Sequence, residues 1–159
     1  MSTLAEALER EHRDIDGGIE QYTARLAAGT NDVEPLKRAM AGLRRHIYLE
    51  EQFLFPPLQA MLMMPVMVML KEHGELWRSM DSLDVLLAAP PSDDALLEAC
   101  RELLAQLDRH NSKEEPIIYT RADDVLSAEA SGELSAFLDE GRMPEGWSCA
   151  KAAAGPSLP

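Results

Sequence analysis

An all-α fold, an up-down-up-down four-helix bundle with a short C-terminal fifth helix, is predicted by three features of this 159-residue chain. Apolar residues recur every three or four positions through most of its length. No segment alternates with the period of a strand, and the breaks between periodic stretches fall at glycine or proline. The length suits one domain with a real core, and 46% hydrophobic residues with thinly scattered Pro and Gly exclude a disordered or collagen-like chain.

Taken in order, the first stripe is Leu4, Leu8, His12, Ile15, Ile19, Tyr22 and Leu26. Ser2 or Thr3 can cap its start, and Gly29-Thr30-Asn31-Asp32 ends it. The second runs Leu36, Met40, Leu43, His46, Glu50, Phe53, with Pro35 suited to a first helical turn. The third runs Val66, Met69, His73, Leu76, Met80, Leu83, Leu87, opening at Pro65 and closing at Pro90-Pro91. The fourth runs Leu96, Cys100, Leu103, Leu107, His110, Glu114, Ile117, capped by Ser92. A short fifth helix is expected over residues 127–140. Short connections make neighbouring helices antiparallel. Pro56, Pro57 and Pro116 fall in or just past helical patterns and should kink or end them. The chain thus divides into a bundle, residues 1–125, and a short helix with a flexible Gly-, Ala-, Ser- and Pro-rich tail, residues 126–159. Met61, Met63, Met64, Met67 and Met69 read as flexible core filling near a helix junction.

A formal charge of -13 repels phosphate backbones, which argues against a nucleic-acid partner. The longest apolar run, residues 61–70, is far too short to span a membrane, and the first residues do not form a signal peptide. Two cysteines make no disulfide framework. A cytoplasmic location is expected. Cys100 reads as an inert buried thiol and Cys149 as an exposed, reactive one.

The interruptions of the stripes carry the chemistry. All four histidines, His12, His46, His73 and His110, occupy inward positions, one per long helix. Glu50 and Glu114 follow His46 and His110 by one turn on the same face. Buried carboxylates are costly without protons or a cation. At ~1.5 Å rise per residue, the six side chains reach one level of the bundle within about a turn. A repeat reinforces this: Glu11-His12 answers Glu72-His73, and His46-x3-Glu50-Glu51 answers His110-x3-Glu114-Glu115. Two helix pairs related by a pseudo-twofold would set two ligand groups face to face. Imidazole with carboxylate suits iron, manganese or zinc, and six inward ligands fit a two-metal centre with iron leading. A ferritin-like site needs Glu-x2-His on two helices; only Glu9-x2-His12 fits, and Glu9 lies off the stripe. Glu51 and Glu115 read as solvent-facing or as orienting a ligating histidine, and Glu11 is a candidate for the same orienting role. Tyr22, Tyr48 and Tyr119 could reach an open metal position but read as core or rim packing.

On these residues, with Phe55-Pro56 after the second motif, the chain resembles the hemerythrin-like, or HHE cation-binding, family over residues 3–120. The resemblance implies a non-haem, carboxylate-bridged di-iron centre. His12 and His46 would serve one iron, His73 and His110 the other, with Glu50 and Glu114 bridging. Oxygen-carrying hemerythrins place a fifth histidine where this chain has Trp77, so reversible oxygen carriage is not implied. Trp77 is expected to wall the metal pocket instead. Relatives that repair iron-sulfur clusters carry a cysteine-bearing N-terminal region that these first residues do not match. The functional expectation is a protein that binds or senses oxygen, nitric oxide or iron, with a small diatomic ligand as partner and a homodimer allowed. The alternatives are a di-iron enzyme acting on peroxide or nitric oxide, and an iron or oxygen store.

Overall fold

The computed structural model describes residues 2–153 and is helical throughout, with no strand among the described residues. Four long helices, α1 (Leu4–Ala27), α2 (Glu34–Leu49), α4 (Met63–Ala88) and α5 (Asp93–Glu114), form the bundle. The short α3 (Phe55–Leu58) and α6 (Thr120–Val125) extend α2 and α5, and α7 (Ala128–Glu140) crosses the outside. α1 packs against α2 and α5, and α4 against α5 and α2.

Thr3 and Ser92 cap their helices as expected, and Ser127 caps α7 in the same way. The hydroxyls of Thr3, Ser92 and Ser127 accept from the backbone N–H groups of Glu6, Ala95 and Ala130. α1 also uses a distant cap, since the Asp123 carboxylate accepts from Leu4 and Ala5 N–H at 3.0 and 3.3 Å. After α1 the chain turns at Gly29, whose φ of +95° is a conformation other L residues rarely adopt.

The prolines neither stop nor simply kink their helices. α2 runs into α3 through a π-helical turn, Glu50–Leu54, and α5 into α6 through another, Glu115–Tyr119. Phe55 N–H donates to Glu50 O, five residues back, and through this wider turn the helix continues into Pro56 and Pro57, which have no N–H to donate. Each π turn begins one residue from, or at, an inward glutamate. This placement matters for the site.

Apolar packing splits into two clusters along the bundle axis. One contains Ile15, Ile19, Tyr22, Leu43, Leu76, Met80, Leu103 and Leu107. The other contains Leu8, Leu49, Leu54, Phe55, Leu58, Ile118, Tyr119 and Leu134. On α1, α4 and α5 the inward histidines, with Glu114, lie between the two clusters in sequence, and on α2 His46 and Glu50 flank their boundary at Ile47 and Leu49.

Two expectations need correction. Met61, Met63, Met64 and Met67 are half or more exposed, and of that run only Met69 is buried, so the run is mostly surface. The tail from Gly141 is not loose as far as Ala153. Arg45 donates to the carbonyls of Phe137, Leu138 and Gly141, Arg78 to that of Lys151, and Ala150 N–H to Glu51 Oε1. The Lys151 backbone lies against Gly74 so closely that a Cβ there would meet Lys151 O at 2.5 Å. Residues 154–159 lie outside the described residues.

Candidate metal centre

Each long helix delivers one histidine to the same level, and α2 and α5 place a glutamate beside theirs. His12, His46, Glu50, His73, His110 and Glu114 are all buried, the glutamates completely. They form two adjacent groups: His12, His46, Glu50 and Glu114, and Glu50, His73, His110 and Glu114. Within each group, one nitrogen or oxygen from every residue lies within 4.8 Å of the others. Both groups contain the two glutamates, and the histidines divide by helix pair as the pseudo-twofold requires.

A second ring of carboxylates orients the imidazoles. Nδ1 of His12, His46, His73 and His110 meets Glu115, Glu11, Glu51 and Glu72 at 2.8, 2.9, 2.7 and 2.9 Å. A carboxylate accepts the Nδ1 hydrogen, so in the neutral ring Nε2 holds the free lone pair and faces inward. These contacts obey the repeat: the glutamate preceding one helix's histidine holds the histidine of the next helix. Glu11 is held in turn by Arg45 and Glu72 by Lys113. Glu11, Glu51 and Glu115 were legible as orienting groups; Glu72 was not singled out, although the repeat with Glu11 carried the signal. We predict that Glu51→Gln weakens metal binding by ~10- to 100-fold, measured by competition with a chelator. Unchanged affinity would remove the orienting role.

Electrostatics agree with a site that accepts positive charge. Burial opposes protonation of His46, His73 and His110, but the adjoining carboxylates outweigh it. Glu50 and Glu11 push His46 up to about 10, and Glu114 and Glu72 push His110 up to about 9. Burial likewise opposes ionisation of Glu114, yet His110, His12 and His73 hold its carboxyl well below the usual range. The metal-free protein should therefore be most stable where both charged forms persist. The raised histidines stabilise it fully below about 6.5, and that contribution disappears as pH rises through about 9 to 10. The lowered Glu114 stabilises it above its ordinary value, and that part is lost on acidification. Urea unfolding of metal-free protein should show lower stability at about pH 10 than at about pH 6; a flat profile would contradict the pairing.

A cation fits better than these pairs alone. Glu50 Oε1, His73 Nε2 and Glu114 Oε2 are buried without a hydrogen-bond partner. His73 Nε2 lies 3.0 Å from Glu50 Oε1 but is not aligned to bond it. Buried groups of this kind normally find partners, and a cation bound by all three would supply one.

One inward group fell outside the expected site. Tyr119, read as packing, directs its hydroxyl into the His12 and His46 group, 2.8 Å from each Nε2. In a regular α-helix it would point about 140° away from Glu114; the π turn restores it to that face. Tyr22 instead donates to Asn31, and Tyr48 packs edge-on against Phe53 and Trp147 and tilted against Phe137. Trp77 is buried, but its ring meets Trp147 and Arg44, so it seats the C-terminal segment where a pocket wall was expected. Cys149 is buried, not exposed, and burial pushes its thiol up to about 11, as it does for Cys100. No helix of the described residues is long and apolar enough to cross a membrane.

Comparison with known proteins agrees with this geometry. The model of the hemerythrin HHE cation-binding domain matches residues 3–122. A curated relative from Haemophilus influenzae, described as a probable iron-sulfur cluster repair protein, is 31% identical over 130 residues. That match covers 75% of this chain and 54% of the relative, so the chain spans about half the relative's length. No solved structure matches. With four inward histidines and two shared glutamates on a four-helix bundle, and the family's model matched from Thr3 through Ala122, the chain belongs to the hemerythrin HHE cation-binding domain family.

Proposed function

We propose that this domain holds two iron ions bridged by Glu50 and Glu114 and uses them to bind a small diatomic molecule, oxygen or nitric oxide. The observation that carries the proposal is the sharing of both glutamates between two histidine pairs only a few ångströms apart. His12 and His46 would hold one ion, and His73 and His110 the other. Iron bound there supplies a Lewis acid that can also change oxidation state. The chain's part is to aim each Nε2 inward, to exclude bulk water with the two apolar clusters, and to admit a small ligand. A cavity of about 220 Å³ lined by Glu72, Glu75, Leu76, Gln106, Arg109, His110 and Lys113 approaches the His110 edge and suits such entry.

Metal analysis of protein from iron-replete cells should find two irons per chain. Anaerobic titration of the reduced protein with nitric oxide should give a saturable spectral change. Peroxide consumption should not exceed that of an iron-matched control. Iron-free protein, or no response to nitric oxide, would reject the proposal, and rapid peroxide turnover would favour an enzyme.

The relative's description supports a second reading, in which the bound iron is donated to damaged iron-sulfur clusters. Transfer of labelled iron from the loaded domain to an apo cluster protein, faster than release to buffer, would favour it. Storage without transfer or ligand response is the remaining outcome.

A further inference from the structure

The pseudo-twofold pairs Glu50 with Glu114 and, five residues on, Phe55 with Tyr119, each at the far side of a π turn. The two rings take equivalent places. Phe55 stacks on His73 at 5.4 Å and 20°, and Tyr119 on His12 at 5.2 Å and 29°. The rings differ by one hydroxyl group. That oxygen lies 2.8 Å from Nε2 of His12 and of His46, 2.5 Å from Glu50 Oε2 and 3.0 Å from Glu114 Oε1.

A buried phenol needs one acceptor for its single hydrogen. Here four donor atoms of the metal-ligand type converge on it, one from every member of the His12 and His46 group. An ion held by those four atoms cannot avoid an oxygen so close to all of them. The ring cannot easily withdraw, because Tyr119 is fully buried in the second apolar cluster. On the other side Phe55 offers no donor, and there the three unpartnered polar atoms, Glu50 Oε1, His73 Nε2 and Glu114 Oε2, are found.

We infer that Tyr119 is a direct ligand of the ion held by His12 and His46, so that this ion is closed by a phenolate and the other ion receives the external ligand. The inference rests on the two-iron proposal above. On metal loading the phenol O–H bond breaks, its electron pair stays on oxygen and forms the bond to the ion, and the proton passes to solvent. Nothing is oxidised or reduced. An anionic, hard oxygen donor favours ferric over ferrous iron, so the Tyr119 ion is the harder of the two to reduce.

The test is resonance Raman spectroscopy of the ferric full-length protein. Excitation in a visible phenolate-to-iron charge-transfer band should give tyrosine ring modes that shift when ring-deuterated tyrosine is incorporated. Tyr119→Phe should lose the band while keeping two irons per chain, and Phe55→Tyr should roughly double its intensity. The label makes the assignment on wild-type protein even if either variant fails to fold, since Tyr22 and Tyr48 bond elsewhere. Wild-type protein with two irons but no tyrosine modes overturns the ligand role and leaves the two-iron proposal standing. One iron in the wild type and two in Tyr119→Phe overturns it as well, because the phenol then takes the ion's place. Iron-free wild-type protein overturns both.

Discussion

Glu114→Gln is expected to reduce metal content from two ions per chain to below one, whereas His12→Ala and His73→Ala should each stop near one. Glu114 belongs to both groups: Oε1 lies 3.2 Å from His12 Nε2 and 3.3 Å from His110 Nε2, and Oε2 lies 3.8 Å from His73 Nε2. A glutamine keeps the shape but removes the negative charge and turns one oxygen into an N–H donor. Losing charge-assisted contacts worth ~1.5–3 kcal/mol each should weaken binding roughly a hundredfold or more. The metal-free variant should also lose stability, about 3–5 kcal/mol for an ion-pair network broken on one side in the interior. Metal analysis after dialysis, with circular dichroism to verify helix content, tests this directly. Two ions retained by Glu114→Gln would mean that the carboxylate does not bridge.

The second large effect is on melting. Metal bound only to the folded chain stabilises it by ~3–4 kcal/mol when free metal exceeds its dissociation constant by 100- to 1,000-fold. For a domain of this size that corresponds to roughly 6–16 °C in Tm. The metal-free protein should still fold, since the imidazoles and carboxylates form ion pairs with one another. It would leave Glu50 Oε1, His73 Nε2 and Glu114 Oε2 unsatisfied, and this is the cost that metal removes. Scanning calorimetry of apo and loaded protein measures the gap. Equal Tm values would show that the ion pairs suffice.

The six inward residues were legible because helical period and burial are the same information: a His or Glu on an apolar stripe must face the core. The repeat then placed them at one level. Tyr119 could not be told apart from Tyr22 and Tyr48, because its position depends on the phase of the helix, and the π turn over Glu115–Tyr119 changes that phase. Pro116 signalled a disturbance there but not its form. Trp77 failed differently. One turn from His73 it lies near the ligand in sequence, but the aromatic partner that captures its ring, Trp147, lies in a segment whose composition suggested looseness. That segment is held largely through its backbone carbonyls, accepting from Arg45 and Arg78, and composition does not record backbone contacts. The exposed methionines show the converse, apolar residues that periodicity does not oblige the fold to bury.

The docking of the C-terminal segment has a thermodynamic consequence. Glu51 is shared: Oε2 holds His73 Nδ1 at 2.7 Å, and Oε1 accepts Ala150 N–H at 2.9 Å. Two equilibria that draw on one carboxylate are linked, and linkage is reciprocal. Whatever factor the docked segment contributes to metal affinity at His73, metal at His73 must return to docking. Gly74→Ala, which sets a methyl group against the Lys151 backbone, should therefore speed metal loss although the added methyl faces the segment. In the unaltered protein, metal loading should correspondingly slow proteolysis of residues 141–153. Limited digestion of loaded and metal-free protein compares the two directions, and a cleavage rate indifferent to metal would show that the segment and the centre are uncoupled.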